Sequence, residues 1–411
     1  LKAVSLKAAV VAAGGKITLN GALQGLDATP EVAIGARIDH PDLAKAVRLF
    51  APAFKPAASN LGALAAAFRM TATAAGLDIT DIDAAVGPVM VKGSMSVGLG
   101  GTLPRIKATL ETGEVLADLF LPSWKTEDTA RNRQRKANGL SPVGSTFGGS
   151  VNGRWSVEKI DLSGLKGVDA DITLTMAGLI VDQIRLGKPH VEFRLKDGQL
   201  NVGKVTAGLL GGAVSGAGVI DASTTPPTFT AALHARDLES RDIMAMADIP
   251  ARLSGPISIE FSGGASGASQ SDLIATLKGS ARLGGRLQVQ VSQEERSAAG
   301  ALNIVSALLG SKVKELGQVG GASSVLFDAF GKNPATLSGD LAIRNGVVTT
   351  QNGRLAGTGA YASIVGAVDL PAWRVDSRTS MFQDGGAAPL IYFDVKGSLD
   401  TPGIKPGGDI L

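Results

Sequence analysis

The sequence carries three histidines, His40, His190 and His234, the side chains best suited to proton transfer and metal ligation near neutral pH. They lie far apart, and none stands in a His-Glu-x-x-His or comparable ligand spacing. His190 is followed two residues on by Glu192, and a strand would set both on one face. Alone, such a pair is expected to face water on a strand rather than to hold a metal. The cluster Gly98-Leu99-Gly100-Gly101 lacks the Lys-Ser/Thr of a phosphate-binding loop and the strand–helix setting of a dinucleotide fold. Ser156-Val157-Glu158-Lys159 matches Ser-x-x-Lys, but no companion motif follows. With no cysteine anywhere, thiolate metal sites, iron–sulfur clusters, disulfides and a Cys nucleophile are all excluded. The pattern therefore predicts no enzyme, no metal and no cofactor.

One charged cluster stands out: Arg131, Arg133, Arg135 and Lys136, inside a Gly-, Ser- and Pro-rich stretch from Lys125 to Ser150. It has two open readings, a solvated loop or a contact with anionic lipid headgroups. Nucleic acid is not expected, because no interleaved aromatics offer base stacking.

Composition narrows the class further. The 411 residues are 44% hydrophobic and 19% charged with a net charge of +3, which argues against a disordered chain. The 54 glycines are about twice the ~7% average share, without a collagen period. No run of 18 apolar residues marks a transmembrane helix. Lys2, Lys7 and the Ala8–Ala13 run imitate a secretory signal, but the apolar core is too short and Ala-rich. A first residue of Leu1 is expected of a piece cut from a longer chain, with any anchor outside it.

The elements that would position any site are strands. In Asp169-Ala170-Asp171-Ile172-Thr173-Leu174-Thr175-Met176 every second residue is apolar, so one face of a strand is oily and the other wet. Val191-Glu192-Phe193-Arg194-Leu195-Lys196 repeats this, meets the type I′ turn signal Asp197-Gly198, and returns through Gln199-Leu200-Asn201-Val202. Leu341–Arg344, Asn345-Gly346 and Val347–Thr350 form a second such hairpin. Strand, Pro-bearing turn, strand recurs around Pro30, Pro104 and Pro226-Pro227. Helical spacing is confined to Pro41–Phe54, Ala301–Leu316 and Leu238–Asp248. Much one-sided sheet thus has little helix to cover it, and an oily face must meet another sheet, curl onto itself or hold an apolar ligand.

The expected fold is all-β with a few short helices: a long, curled antiparallel meander forming an open hydrophobic groove. Expected divisions are residues 1–121, a basic loop at 122–153, and 154–411. Ile172, Leu174, Met176, Val191, Phe193, Leu195, Leu200 and Val202 are the candidate groove residues. Asp171, Thr173, Glu192 and Arg194 are expected to face water.

The run from Trp155-Ser156-Val157-Glu158-Lys159-Ile160 to Asp171-Ile172 resembles the entry to the AsmA-like C-terminal region. Leu195-Lys196-Asp197-Gly198-Gln199-Leu200, Gly211-Gly212, Leu253–Ser258, Gly264–Gly267, Leu277–Ser280, Leu341–Val348 and Val395–Pro402 follow in that family's order. The likeness covers Trp155 to the C-terminus and, more loosely, Leu1 to Leu121. It implies a periplasmic protein of the Gram-negative envelope, tethered to the inner membrane through an anchor outside this chain. Its larger relatives look like bridge-type lipid transfer proteins, which carry phospholipid or other acyl lipid along an oily sheet. The alternatives left open are an assembly factor for outer-membrane proteins and a plain β-sandwich. A transmembrane barrel is disfavoured by only 2 Tyr and 3 Trp, too few for two aromatic girdles.

Overall fold

The computed structural model describes residues 3–24, 31–49, 54, 56, 58–120, 155–181, 184–246, 253–289 and 321–407. The chain divides into two compact units, Leu1–Asn138 with Asp161–Gly208 and Ala217–Pro227, and Gly139–Ile160 with Leu209–Gly216 and Thr228–Leu411. The first unit is built on β1 (Ala3–Ala12), β2 (Gly15–Gln24), β3 (Glu31–His40), β4 (Leu64–Thr73), β5 (Gly76–Val86), β6 (Val89–Gly98), β7 (Arg105–Leu116), β8 (Asp169–Val181), β9 (Ile184–Lys196) and β10 (Gln199–Leu209). β11 (Gly212–Asp221) is shared out between the units. The second unit holds β12 (Thr228–Glu239), β13 (Leu253–Ser254), β14 (Pro256–Ser266), β15 (Lys278–Val289), β16 (Ala335–Arg344), β17 (Val347–Ala356), β18 (Ala360–Asp369), β19 (Arg374–Gln383), β20 (Ile391–Ser398) and β21 (Gly403–Gly407). Together they are assigned to one 21-stranded mixed sheet, whose end strands β1 and β21 each pair, among the described residues, with one neighbour. The expected all-β class, with few and short helices, is what the chain adopts.

Each of the expected hairpins is present, and the turn residues show why. Asp197 (φ 51°) and Gly198 (φ 78°) both take the left-handed conformation a type I′ turn demands, as do Asn345 (φ 50°) and Gly346 (φ 74°). Gly346 is also held by packing: a Cβ there would stand 2.3 Å from the Ile274 carbonyl oxygen.

The meander departs from an all-antiparallel pattern at one place. β7 runs parallel to β8, with Arg105 opposite Asp169 and Leu110 opposite Leu174. Parallel neighbours need a long crossover, and the stretch between Leu116 and Asp169 supplies it. Hydrophobic period reports which face a residue takes, not the direction of its neighbour, so the alternation could not reveal this seam.

Helices sit at strand ends. The helix Leu43–Arg48 starts at Asp42, whose carboxylate accepts a hydrogen bond from the Lys45 N–H at 3.0 Å. Its Leu43 and Ala44 close over Leu61, Leu64, Val86, Leu119 and Phe120. The Leu238–Asp248 expectation becomes a helix over Ser240–Met246, because Leu238 and Glu239 still belong to β12. The Ala301–Leu316 expectation lies outside the described residues. Further helices appear as well: the single turns Ala117–Phe120 and Ser163–Lys166, then Gln270–Thr276, opened by a Ser269/Asp272 capping box, and Gly321–Gly331.

The helix Gly321–Gly331 makes the driest part of the second unit. Leu326, Ala329 and Phe330 pack with Leu287, Val289, Ala335, Leu355, Ala360, Ala362, Met381, Ile391 and Phe393. The far strand ends are tied differently. There the Trp155 indole N–H donates to the Leu370 carbonyl at 2.8 Å, and its ring meets Trp373 edge-on at 5.6 Å.

Candidate functional site

The register of β7, β8 and β9 builds the face that the alternation predicts. Ile172 lies between Ala108 on β7 and Phe193 on β9; Leu174 lies between Leu110 and Val191; Ala170 lies opposite Leu195. Met176 follows opposite Thr112. Beyond the two-residue turn, Leu200 and Val202 continue the face opposite Leu195 and Phe193, as a type I′ hairpin requires. Of these eight candidates only Leu195 is buried; the other seven are half-buried. The eight therefore belong together on one face of three neighbouring strands. Arg131, Arg133, Arg135 and Lys136 lie outside the described residues.

The same parity holds through the rest of the first unit. Leu19, Ala36 and Phe68 line up across β2, β3 and β4, and Met70, Ile79 and Met95 across β4, β5 and β6. In the second unit the rows run Ala281–Leu341 and Ile364–Thr379–Phe393. Sequence reasoning named none of these, since single segments show period but only the register shows which apolar residues meet.

The opposite face is a field of cross-strand ion pairs. Asp171 accepts from Arg105 at 2.8 Å and also from Arg194, and these two guanidinium groups, Arg105 first, hold its carboxyl below the usual range. Arg282 bridges Glu260 and Asp340 at 3.8 and 3.2 Å. Arg378 binds Asp394 through two hydrogen bonds of 2.7 and 2.8 Å, and Lys396 reaches Asp376 at 3.1 Å. The expected outward set of Asp171, Thr173, Glu192 and Arg194 stands on this polar face.

A depression of about 530 Å³ opens among Lys107, Thr109, Asp171, Thr173, Glu192, Arg194 and their strand neighbours. Most of its lining is polar, but Ile172 and Phe193 of the oily set, with Ala108 opposite Ile172, also border it. Beside it, Thr175 Oγ1 stands 3.0 Å from His190 Nδ1, and His190 Nε2 stands 2.9 Å from Glu192. The carboxylate can only accept, so Nε2 donates, and in the neutral ring Nδ1 then accepts the threonine hydroxyl. This hydrogen bond also lowers the Glu192 pKa. Hydroxyl, imidazole and carboxylate thus form a chain, while Thr173, Leu174 and Thr175 all lie in the β8–β9 ladder, where main-chain N–H groups serve the sheet rather than an oxyanion. No group of three His, Asp or Glu able to hold a metal occurs among the described residues.

Fold and faces together define an all-β, open-ended sheet protein with one apolar and one ion-paired side. The chain belongs to the AsmA family: the family model matches residues 55–286, more than half of its length. That match takes in β4 to β7, where the sequence likeness is looser, and ends within β15. No curated protein and no solved structure matches the chain significantly.

Proposed function

We propose that the chain binds phospholipid or another acyl lipid along its apolar face and takes part in lipid transport or outer-membrane homeostasis in the Gram-negative envelope. In this reading it works in the periplasm, held at the inner membrane by an anchor outside this chain, and it catalyses no reaction. The observation that supports it is the burial of the apolar rows. They run in register from strand to strand in each unit, yet away from the helices most of their large side chains are half-buried rather than sealed, with Leu195 and Ile343 buried at 6% and 7% exposure. A dry sandwich core would bury such rows almost completely. Aliphatic side chains in that state can exchange water for acyl chain, gaining roughly 25 cal/mol per Å² of apolar surface covered. Among the described residues no helix is long and apolar enough to cross a membrane. The test is mass spectrometry of apolar material extracted from protein purified without added lipid. Bound phospholipid is expected, and its repeated absence would overturn the reading.

A further inference from the structure

We propose that the helix Gly321–Gly331 is a fixed stop on the apolar face of the second unit, and that it sets how far an acyl chain reaches along the strands. This rests on the acyl-lipid reading above.

Burial changes along each strand on the same face. At the helix, Leu326 is 1% exposed and Phe330, Ala335, Met381 and Phe393 are 0% exposed. Between the helix and the other strand ends, Leu283, Leu341, Ile364, Val368 and Val375, all on that same face, are half-buried, and the face closes again only at Ile343 on β16, 7% exposed. The boundary between the two regimes is abrupt, falling between Ala362 and Ile364 on β18. The helix is also pinned. The Thr358 N–H donates to the Ala329 carbonyl at 3.2 Å, and the Gln288 amide donates to the Gly331 carbonyl at 3.2 Å. Gly357 lies so close that a Cβ would stand 2.3 Å from the Ala329 oxygen. Two hydrogen bonds and this close approach fix the C-terminal turn of the helix against the sheet, as a stop requires.

The half-buried strip has a definite length. It spans Gly279–Gly285 on β15, Val348–Gly353 on β17 and Ile364–Val368 on β18. Five to seven residues at ~3.4 Å each give about 17–24 Å. One leaflet of a bilayer is about 15 Å of hydrocarbon, half of the ~30 Å core. A single acyl chain of membrane length therefore fits the strip along the strands. Its methyl end belongs at the dry helix. Its polar end belongs at the far side, where the Trp155 and Trp373 indole N–H groups donate to the Leu370 carbonyl and the Asp400 carboxylate.

The experiment measures binding of single-chain phospholipids to the whole chain, below their micelle concentrations, with acyl lengths from about 12 to about 20 carbons. Each methylene that finds apolar surface should raise affinity about fourfold until the chain meets the stop, after which affinity levels off. Phe330→Ala opens an apolar cavity at the stop and should move the break to longer chains. Val325→Phe, at a half-buried helix position, enlarges the stop and should move it to shorter ones. If Phe330→Ala does not fold by thermal unfolding, the Val325→Phe shift carries the test alone. A break that the folded variants leave unmoved, or affinity that rises without any break, overturns the stop while leaving lipid binding intact. No binding at any chain length overturns the acyl-lipid reading itself.

Discussion

At the scale of single residues, the polar face repays attention because its charges are arranged across strands rather than along them. Asp171 is the clearest case, a carboxylate between Arg105 and Arg194 on the two flanking strands. Its folded-state pKa is depressed, so its contribution to stability is present above the unfolded value near 3.9 and fades as pH falls through the lower folded value. Asp171→Asn should therefore lower stability at pH 7 by about 1 kcal/mol, a figure kept small by exposure of both arginines. As pH falls through the depressed folded value the variant and the parent should converge. Thermal unfolding from pH 7 to pH 2.5 measures this, and a constant difference throughout would contradict it. None of it was legible in the sequence beyond the polar parity. Asp171 and Arg194 are visible there as outward residues, but Arg105 lies 66 positions away and arrives only through a parallel neighbour.

At the scale of elements, the strands and faces were the legible part, because the alternation in Asp169–Met176 and the Asn-Gly and Asp-Gly turns are local physics. The helix Gly321–Gly331 was not legible: its buried Leu326, Ala329 and Phe330 read equally well as part of a strand-rich, Ala- and Gly-rich chain. That helix divides the apolar face into sealed and half-buried parts, and the two should answer a charge differently. Phe393→Asp places a carboxylate at a fully buried position under the helix and should cost several kcal/mol, preventing folding. Leu174→Asp and Phe193→Asp sit on half-buried rows where the new charge can reach water, so they should fold with a modest loss while retaining less lipid. Thermal unfolding and lipid retention, read together on each variant, decide it. A Leu174→Asp protein that fails to fold would mean that its face is a closed core.

At the scale of the whole molecule, a lipid-binding sheet must also find a membrane. Arg131, Arg133, Arg135 and Lys136 fall within the crossover from β7 to β8. Four cations near an anionic surface contribute on the order of 1 kcal/mol each, a sum that salt screens strongly. Changing all four to Ser should cut binding to anionic vesicles severely at low salt and little at high salt, as sedimentation with vesicles would report. Unchanged binding would leave the segment as solvated linker. Sequence made this cluster conspicuous but left its place in the topology unread, since that place depends on a pairing direction no periodicity encodes.

The β7–β8 seam carries one more consequence, in the entropy of chain closure. A two-residue turn such as Asp197-Gly198 brings its strands together almost without a loop, whereas β7 and β8 meet only after the chain from Ala117 to Val168 has been gathered in. On the logarithmic cost of loop length, that closure is about 3 kcal/mol dearer than a hairpin's. The strands before the seam and those after it are each stitched by near neighbours. The first unit is therefore two local zippers joined by one distant stitch, and its cooperativity rests on that stitch.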